Sequence, residues 1–333
     1  MHKTFAKFFE KRKILITGGL GFIGSSLAQR LNGYGAMVTV MDAMIPGYGG
    51  NLFNIHPASE NIRVNFSDIT DENATNHLVR DSEIIFHCAG QVSHVKSLTD
   101  PFPDIDINIK GTAVLMEACR KFCPNARVVK LGTRGQYGPA VALPVPETAP
   151  SNPRGIYEIS CLTAEQIMQV YHRIHGIDVV LLRLSNVYGP RAQMLHPDYG
   201  VVNWFQRLAI DNETIKVFGD GTILRDFLFI DDCIDALLSV CASEETTGEV
   251  LNIGVDQGIS FLELVETIIE ITGSGKWEFA EFSPERRAQE PGDFFSDITK
   301  IKRLTGWSPK TSLKEGIRQT AEYYKEYKEH YWQ

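Results

Sequence analysis

The chain has 333 residues, 43% of them hydrophobic and 22% charged, with a net charge of −8. That length holds one large or two modest domains with ample core, and that composition belongs to an ordinary globular protein. The acidic balance argues against a nucleic-acid partner, which needs a basic face, and no apolar run reaches the ~18 residues of a membrane span, so no membrane partner is expected either.

Residues 1–12 are basic and aromatic (Phe5, Phe8, Phe9) and read as a short helix or tail packed on the first domain. Residues 13–17, Lys-Ile-Leu-Ile-Thr, are a short apolar strand of the kind buried on both faces of a parallel sheet. Gly18-Gly-Leu-Gly21-Phe22-Ile23-Gly24 follows, then a helix over 25–31 and a second strand over 37–41 that ends at Asp42. Gly18 allows a tight turn, Gly21 lets backbone approach a pyrophosphate, and Gly24 lets the helix pack closely on the sheet. The helix N-terminus offers free N–H groups and a positive dipole end to the phosphates. Asp42 is placed to accept from both hydroxyls of an adenosine ribose and to repel a 2′-phosphate, which favours NAD over NADP. The turn lies between two strands, with an acid closing the second, and this context separates it from a Gly-rich surface turn.

Residues 43–60 read as a loop and 62–66 as a third strand. Asp68, beside Ile69, can meet the adenine amine or cap the next helix. A helix over 73–80 and a strand over 83–87 lead to Cys88-Ala89-Gly90, where a cofactor can lie against backbone. Residues 91–99 are polar and face the site, with Gln91, Ser93, His94 and Lys96. A long helix over 104–122, interrupted at Gly111, carries Asn108, placed to bond backbone near the site. Next come a strand (127–131), a turn (132–138), a Pro-rich loop (139–153), a long helix (156–175) and a strand (179–184). The alternation means an α/β, doubly wound parallel sheet of Rossmann type. It breaks at a loop over 186–197. Helices over 200–210, 231–242, 261–272, 298–304 and 313–331, strands over 215–218, 225–230 and 250–253, a turn at 219–221 and a loop at 290–296 form a smaller α/β lobe. Its charged loops face the crevice outside the strand ends. The expected division is 1–185 for the dinucleotide and 186–333 mostly for substrate, with some segments returning to the first domain.

The six cysteines (Cys88, Cys119, Cys123, Cys161, Cys233, Cys241) show no C-x-x-C pairing. With no targeting segment at the start, they are expected as free thiols in a cytoplasmic protein. The nine histidines form no H-E-x-x-H or similar ligand set, so no metal is expected.

Taken together, the motifs resemble the extended short-chain dehydrogenase/reductase family, specifically its nucleotide-sugar epimerases and dehydratases. The resemblance runs from about Arg12 to Tyr324. Its carriers are the glycine turn with Asp42, Asp68, Cys88-Ala-Gly-Gln-Val-Ser93, Asn108-Ile-Lys-Gly111, Thr133 before Tyr137-Gly138, and Tyr157. Arg183-Leu-Ser-Asn-Val-Tyr-Gly-Pro190, Phe218-Gly-Asp-Gly221, Arg225-Asp-Phe227 and Pro291-Gly-Asp293 complete them. The resemblance implies NAD on the first lobe, an NDP-sugar on the second, and transient oxidation of a sugar carbon, usually C4, with a hydride passed to NAD. It implies cofactor contacts from Gly18, Gly21, Phe22, Ile23, Gly24, Asp42, Asp68, Ile69, Ala89, Gly90, Gln91, Asn108 and Tyr157. Candidate substrate contacts are Ser93, His94, Thr133, Arg134, Asn186, Arg191, Phe218, Arg225 and Arg287, or Arg286 in its place. A homodimer through the helices over 104–122 and 156–175 is also implied.

The family pairs a Tyr base with a Ser or Thr on the sugar hydroxyl and a Lys four residues after the Tyr. Thr133 and Tyr157 match; Cys161 stands at the Lys position. An ammonium ~5 Å away at an effective dielectric of ~20 favours phenolate by roughly 3 kcal/mol, about two pKa units, and a neutral thiol supplies none of this. Lys96, Lys130 or Arg134 can take over, the oxidised nicotinamide's own charge can suffice, or turnover is lost. Arg134-Gly135 stands where 4,6-dehydratases and several decarboxylases carry carboxylates, which counts against both reactions. The leading expectation is an NDP-sugar epimerase. An NDP-sugar dehydrogenase, ketosugar reductase or dehydratase, and a non-catalytic cofactor-binding protein, are the alternatives.

Overall fold

The structure is a computed structural model and describes residues 2–284, 287 and 290–332. A short helix, α1 (His2–Phe9), buries Phe5 and Phe9 and leads into β1 (Lys13–Thr17), α2 (Phe22–Gly33), β2 (Met37–Met41) and β3 (Arg63–Asn65). Then come α3 (Glu72–Val79), β4 (Ile84–His87), α4 (His94–Thr99) and α5 (Gly111–Phe122), the last entered through a π-helical stretch, Asp104–Lys110. β5 (Arg127–Thr133), α6 (Ile156–His175) and β6 (Asp178–Leu184) close the regular alternation. The remainder is β7 (Asn186–Tyr188), α7 (Val201–Ile210), β8 (Thr214–Phe218), β9 (Leu224–Arg225), β10 (Phe227–Phe229), α8 (Ile230–Ala242), β11 (Val250–Ile253), β12 (Ile259–Ser260), α9 (Phe261–Thr272), β13 (Lys276–Ala280), α10 (Thr299–Thr305) and α11 (Leu313–Glu326).

Seven strands form one parallel sheet in the order β11-β6-β5-β4-β1-β2-β3. The chain runs outward from β1 to β3, then returns to β4 on the other side of β1, so a crevice opens between the C-terminal ends of β1 and β4. Helices cover both faces. On one, Leu115, Met116 and Cys119 of α5 and Met168 of α6 pack on Leu15, Ile85 and Val128. On the other, Leu27 and Leu31 of α2 and Leu237 of α8 pack on Ile14, Val40 and Val129. That second cluster continues through Phe205 of α7, Val217 of β8, Ile268 of α9 and Ile317 of α11, so the lobe shares its core with the sheet.

Local chemistry sets the helix starts. Asp71 accepts from the N–H groups of Asn73 and Ala74 to cap α3, and Ser260 and Ser312 accept from the Glu263 and Glu315 N–H groups to cap α9 and α11. The same device makes α4 a helix where the sequence reads as a polar stretch: Ser93 accepts from the Lys96 N–H.

The lobe differs from its reading in several places. Residues 225–230, expected as one strand, divide into β9, antiparallel to β12, and β10, parallel to β7. They part at Asp226, whose buried carboxylate accepts from Val255 and Ser296 N–H and from the Ser296 hydroxyl. β7 lies in the expected loop over 186–197, and β13, unforeseen, pairs with β8. β11 joins the main sheet beside β6.

Candidate active site

The ends of β1 and β4 open onto a cavity of about 370 Å³ that also reaches β5, α6 and the lobe. At one end sits the glycine turn. Gly18 has φ +66°, and a Cβ there would lie 2.7 Å from the Ala89 N; one on Gly24 would lie 2.3 Å from the Gly18 O. The two turns and the start of α2 are therefore pressed together as only glycines allow. Gly21 begins α2 with no side-chain cap, and Gly21, Phe22 and Ile23 line the cavity. Asp42 lines it too, its carboxylate accepting from Leu20 N–H (3.0 Å) and Met44 N–H (2.9 Å) and so bracing the turn. Asp68 and Ile69 follow along the wall. Asp68 accepts from the Thr70 N–H and hydroxyl, and the helix cap falls to Asp71 instead.

Beneath the β4 turn runs a buried one-way chain of hydrogen bonds. Ala89 N–H donates to Thr17 Oγ1 (3.2 Å), which bonds His87 Nδ1 (2.8 Å); His87 Nε2 bonds Thr112 Oγ1 (3.0 Å), which donates to the Asn108 carbonyl (2.6 Å). The outer donors require a neutral His87 protonated on Nε2. Burial pushes its pKa well below the usual value, and Lys130 adds to that. The Asn108 side chain accepts from Gln91 N–H (3.0 Å) and donates to the Gln91 carbonyl (3.1 Å) and Ser160 Oγ (3.0 Å). It thereby clamps the Ala89–Gly90–Gln91 wall of the cavity to α6.

Thr133 ends β5 at the far end of the cavity, and Tyr157 and Cys161 lie a turn apart on α6. The Tyr157 hydroxyl faces Thr133 and Cys161. Burial, then Cys161, raises this phenol well above its ordinary value, and burial pushes the Cys161 thiol up to about 12. The Thr133 turn is held by Gln136, which accepts from Thr133 N–H (3.1 Å) and donates to Glu165 (2.8 Å). Glu165 in turn takes both arms of Arg183 (2.7 and 3.0 Å). This buried network was not visible in the sequence, because nothing in the spacing of Gln136, Glu165 and Arg183 announces that the three meet.

His94 stands edge-on to the Tyr157 ring at 5.0 Å, its Nδ1 donating to the Glu158 carboxylate at 2.5 Å. Burial alone would raise Glu158, but His94 and then Arg134 outweigh it and hold the carboxyl below its ordinary value. Arg134 lines the cavity with its guanidinium 5.0 Å from the Phe294 ring, and makes no side-chain hydrogen bond among the described residues. Asn186 lines it while donating to the Asp226 carbonyl. Lys96 stays at the rim, 3.4 Å from Asp198. Lys130, on β5, is buried and lines the cavity with Tyr157 and Cys161; its Nζ donates to the Leu131 carbonyl at 2.8 Å.

Five expected substrate contacts lie elsewhere. Ser93 is fully buried, its hydroxyl used in capping α4. Arg225 is 3% exposed, ion-paired with Glu290 and donating to the Gly292 carbonyl (2.6 Å), so its guanidinium is already taken. Arg191 packs over Tyr323 and bonds Gln29, outside the main cavity. Phe218 packs on Phe282, and Arg287 is exposed and does not line the cavity. Arg286 lies outside the described residues. The sequence reading also missed Tyr199 and Asn203 on the lobe side of the cavity. Asn203 brackets Gly189 through both its N–H and carbonyl.

Among the described residues no helix is long and apolar enough to cross a membrane, and no group of three or more His, Cys, Asp or Glu is placed to hold a metal.

A family model of NAD-dependent epimerases and dehydratases matches residues 14–254. The chain is 34% identical over 320 residues to a UDP-glucose 4-epimerase of Mycolicibacterium smegmatis, covering 94% of this chain and 98% of that protein. It is 31% identical over 325 residues to a dTDP-glucose 4,6-dehydratase of Streptomyces niveus, covering 94% and 93%. The crystal structure of a UDP-glucose 4-epimerase of Thermotoga maritima with UDP-glucose superposes with a TM-score of 0.85 at 32% identity, over 95% of this chain and 99% of that one. Relatives similar over nearly the whole length thus carry out different reactions.

Proposed function

The chain belongs to the NAD-dependent epimerase/dehydratase family, and on that basis we propose that it is an NDP-sugar epimerase acting at C4. The observation that carries the reading is that Tyr157 and Thr133 line the same cavity as the glycine turn and Asp42. The cavity fits a dinucleotide: the turn offers backbone with no side chain in the way, the start of α2 leaves N–H groups uncapped, and Asp42 presents a carboxylate. When bound, NAD supplies a reversible hydride acceptor for the sugar carbon. Tyr157 takes the proton of the sugar hydroxyl and later returns it, and Thr133 orients that hydroxyl. Asn108, through Gln91, keeps the wall beside the cofactor fixed. Arg134 and Asn186 are the polar groups available to the sugar nucleotide on the lobe side.

An epimerase needs no second acid, because the same hydroxyl loses and regains its proton; a dehydratase must also protonate a leaving hydroxyl. Arg134-Gly135 supplies no acid for that step. One observation favours elimination as a second reading: the His94–Glu158 pair is an acid–base unit beside Tyr157.

The test is proton NMR of the protein incubated with UDP-, dTDP-, CDP- and GDP-hexoses. Inversion at C4 without net NADH absorbance supports the epimerase. A 4-keto-6-deoxy product supports the second reading, and no turnover of any sugar nucleotide sinks both. We further propose a homodimer, because Ile105 before α5 and Ile159, Val170 and Ile174 of α6 form a set of apolar side chains 42–70% exposed.

A further inference from the structure

We propose that Arg134 receives a carboxylate carried on the sugar, so that the substrate is a nucleoside-diphosphate hexuronate and not a neutral hexose. The inference deepens the reading of this cavity as an NDP-sugar site and rests on Thr133 meeting the C4 hydroxyl.

The turn after β5 fixes where Arg134 leaves the chain. Thr133 Oγ1 accepts from the Gly135 N–H (3.1 Å) and Gln136 accepts from the Thr133 N–H (3.1 Å), which closes a capping box around Arg134. A Cβ on Gly135 would lie 2.6 Å from Glu158 Cγ, so the turn is pressed onto α6. From there the Arg134 side chain lines the cavity and reaches the loop over 290–296, where its guanidinium lies 5.0 Å from the centre of the Phe294 ring. Phe294 is buried and stacks on Tyr137 at 6.0 Å, so the platform beneath the guanidinium is itself held in place.

The carboxylates of the surrounding elements are already taken. Glu158, beneath Gly135, accepts from His94 (2.5 Å), and Glu290, on the loop that carries Phe294, is paired with Arg225. Asp226 accepts from the Ser296 hydroxyl (2.7 Å) and the Val255 N–H (3.3 Å). Arg134 itself has no ion pair and donates no side-chain hydrogen bond among the described residues. Burial, and then Arg225, pull its pKa down to about 10, so it stays charged at neutral pH without a counter-charge of its own. A charge held this way costs more than a methionine in the same place, unless an anion arrives with the ligand.

The sugar ring decides which anion that is. In a pyranose the carbon that bears C6 is bonded to C4, whereas the diphosphate on C1 lies across the ring. The residue next to Thr133 therefore meets the C5 substituent when Thr133 meets the C4 hydroxyl. A carboxylate there presents two coplanar oxygens to the guanidinium fork, a match that a primary alcohol cannot make.

The experiment measures binding first, because binding needs no turnover. Isothermal calorimetry on the full-length protein with saturating NAD compares UDP-glucuronate with UDP-glucose in the parent, Arg134→Met and Arg134→Lys. The parent binds UDP-glucuronate roughly 10- to 100-fold more tightly, the range of a hydrogen-bonded pair with a charged partner. Arg134→Met abolishes or reverses that preference, and Arg134→Lys, which keeps the charge but not the fork, retains part of it. Equal affinity of the parent for the two sugars, binding of neither, or an equal loss of both in Arg134→Met (the mark of a diphosphate contact) overturns the proposal. Arg134→Met melts at or above the parent's temperature; if it does not fold, Arg134→Gln takes its place under the same criteria. A uronate preference that depends on Arg134, with no inversion at C4 of either sugar, refutes the epimerase reading and leaves the carboxylate site standing.

Discussion

Tyr157 is a phenol whose surroundings, without ligand, keep it protonated: it is 8% exposed and sits against a neutral thiol. Tyr157→Phe should lower kcat by ~10²- to 10⁴-fold while leaving sugar-nucleotide KM nearly unchanged, as steady-state kinetics would show. His87 gives a pH dependence with a definite sign. In the folded protein its Nδ1 is an acceptor and its pKa lies well below the ordinary ~6.5, whereas the unfolded chain takes up the proton near that value. Below about pH 6.5 the unfolded state therefore binds more protons and stability falls, by up to about 1.4 kcal/mol per pH unit. His87→Gln, which can still donate and accept, should flatten the pH dependence of denaturant midpoints between pH 6.5 and 5. That Thr133 and Tyr157 line one cavity was legible because their neighbours in sequence form motifs. Arg225 was not: a guanidinium suits a phosphate or a carboxylate equally, and its actual partner, Glu290, is 65 residues away.

The elements divide in the same way. α6 appears over the residues expected, Ile156–His175, because its apolar period is long and unbroken. α4 spans only six residues, and its start depends on one serine hydroxyl turning inward. The expected single strand over 225–230 is apolar enough to continue, but the Asp226 carboxylate draws three donors from distant loops and divides it. Asn108 shows how an element carries the site: one side chain in the π-helical stretch makes three hydrogen bonds to the cavity wall and α6. Asn108→Ala leaves the Gln91 N–H and carbonyl without those partners and should cost about 1–3 kcal/mol in chemical denaturation. NAD affinity, measured by calorimetry, should drop with it, because the Ala89–Gln91 backbone lines the cavity.

At the scale of the molecule, the doubly wound parallel sheet followed from the alternation of strands and helices, and the crevice follows from the strand order that the structure adds. The continuity of the core did not. Trp307, buried beside α8, and Ile317 of α11 join one apolar cluster with β1, a pairing that no local period reveals. The apolar side chains on α6 and before α5 predict a dimer: Ile174→Glu, at the most exposed large apolar side chain of α6, should shift the protein toward monomer in sedimentation velocity, with the far-ultraviolet circular dichroism unchanged.

The place of β11 has a consequence for how the protein is made. During synthesis, β6 emerges with one edge bare, and its permanent neighbour is encoded some seventy residues later, after α7, α8 and the turns between them. Until residue 253 has left the ribosome, a strand with a run of four apolar residues, Val179–Leu182, offers unpaired backbone to any other nascent chain. Truncations that stop short of that point should therefore aggregate, and expression should gain more from slower translation or a chaperone than from trimming the C-terminal half.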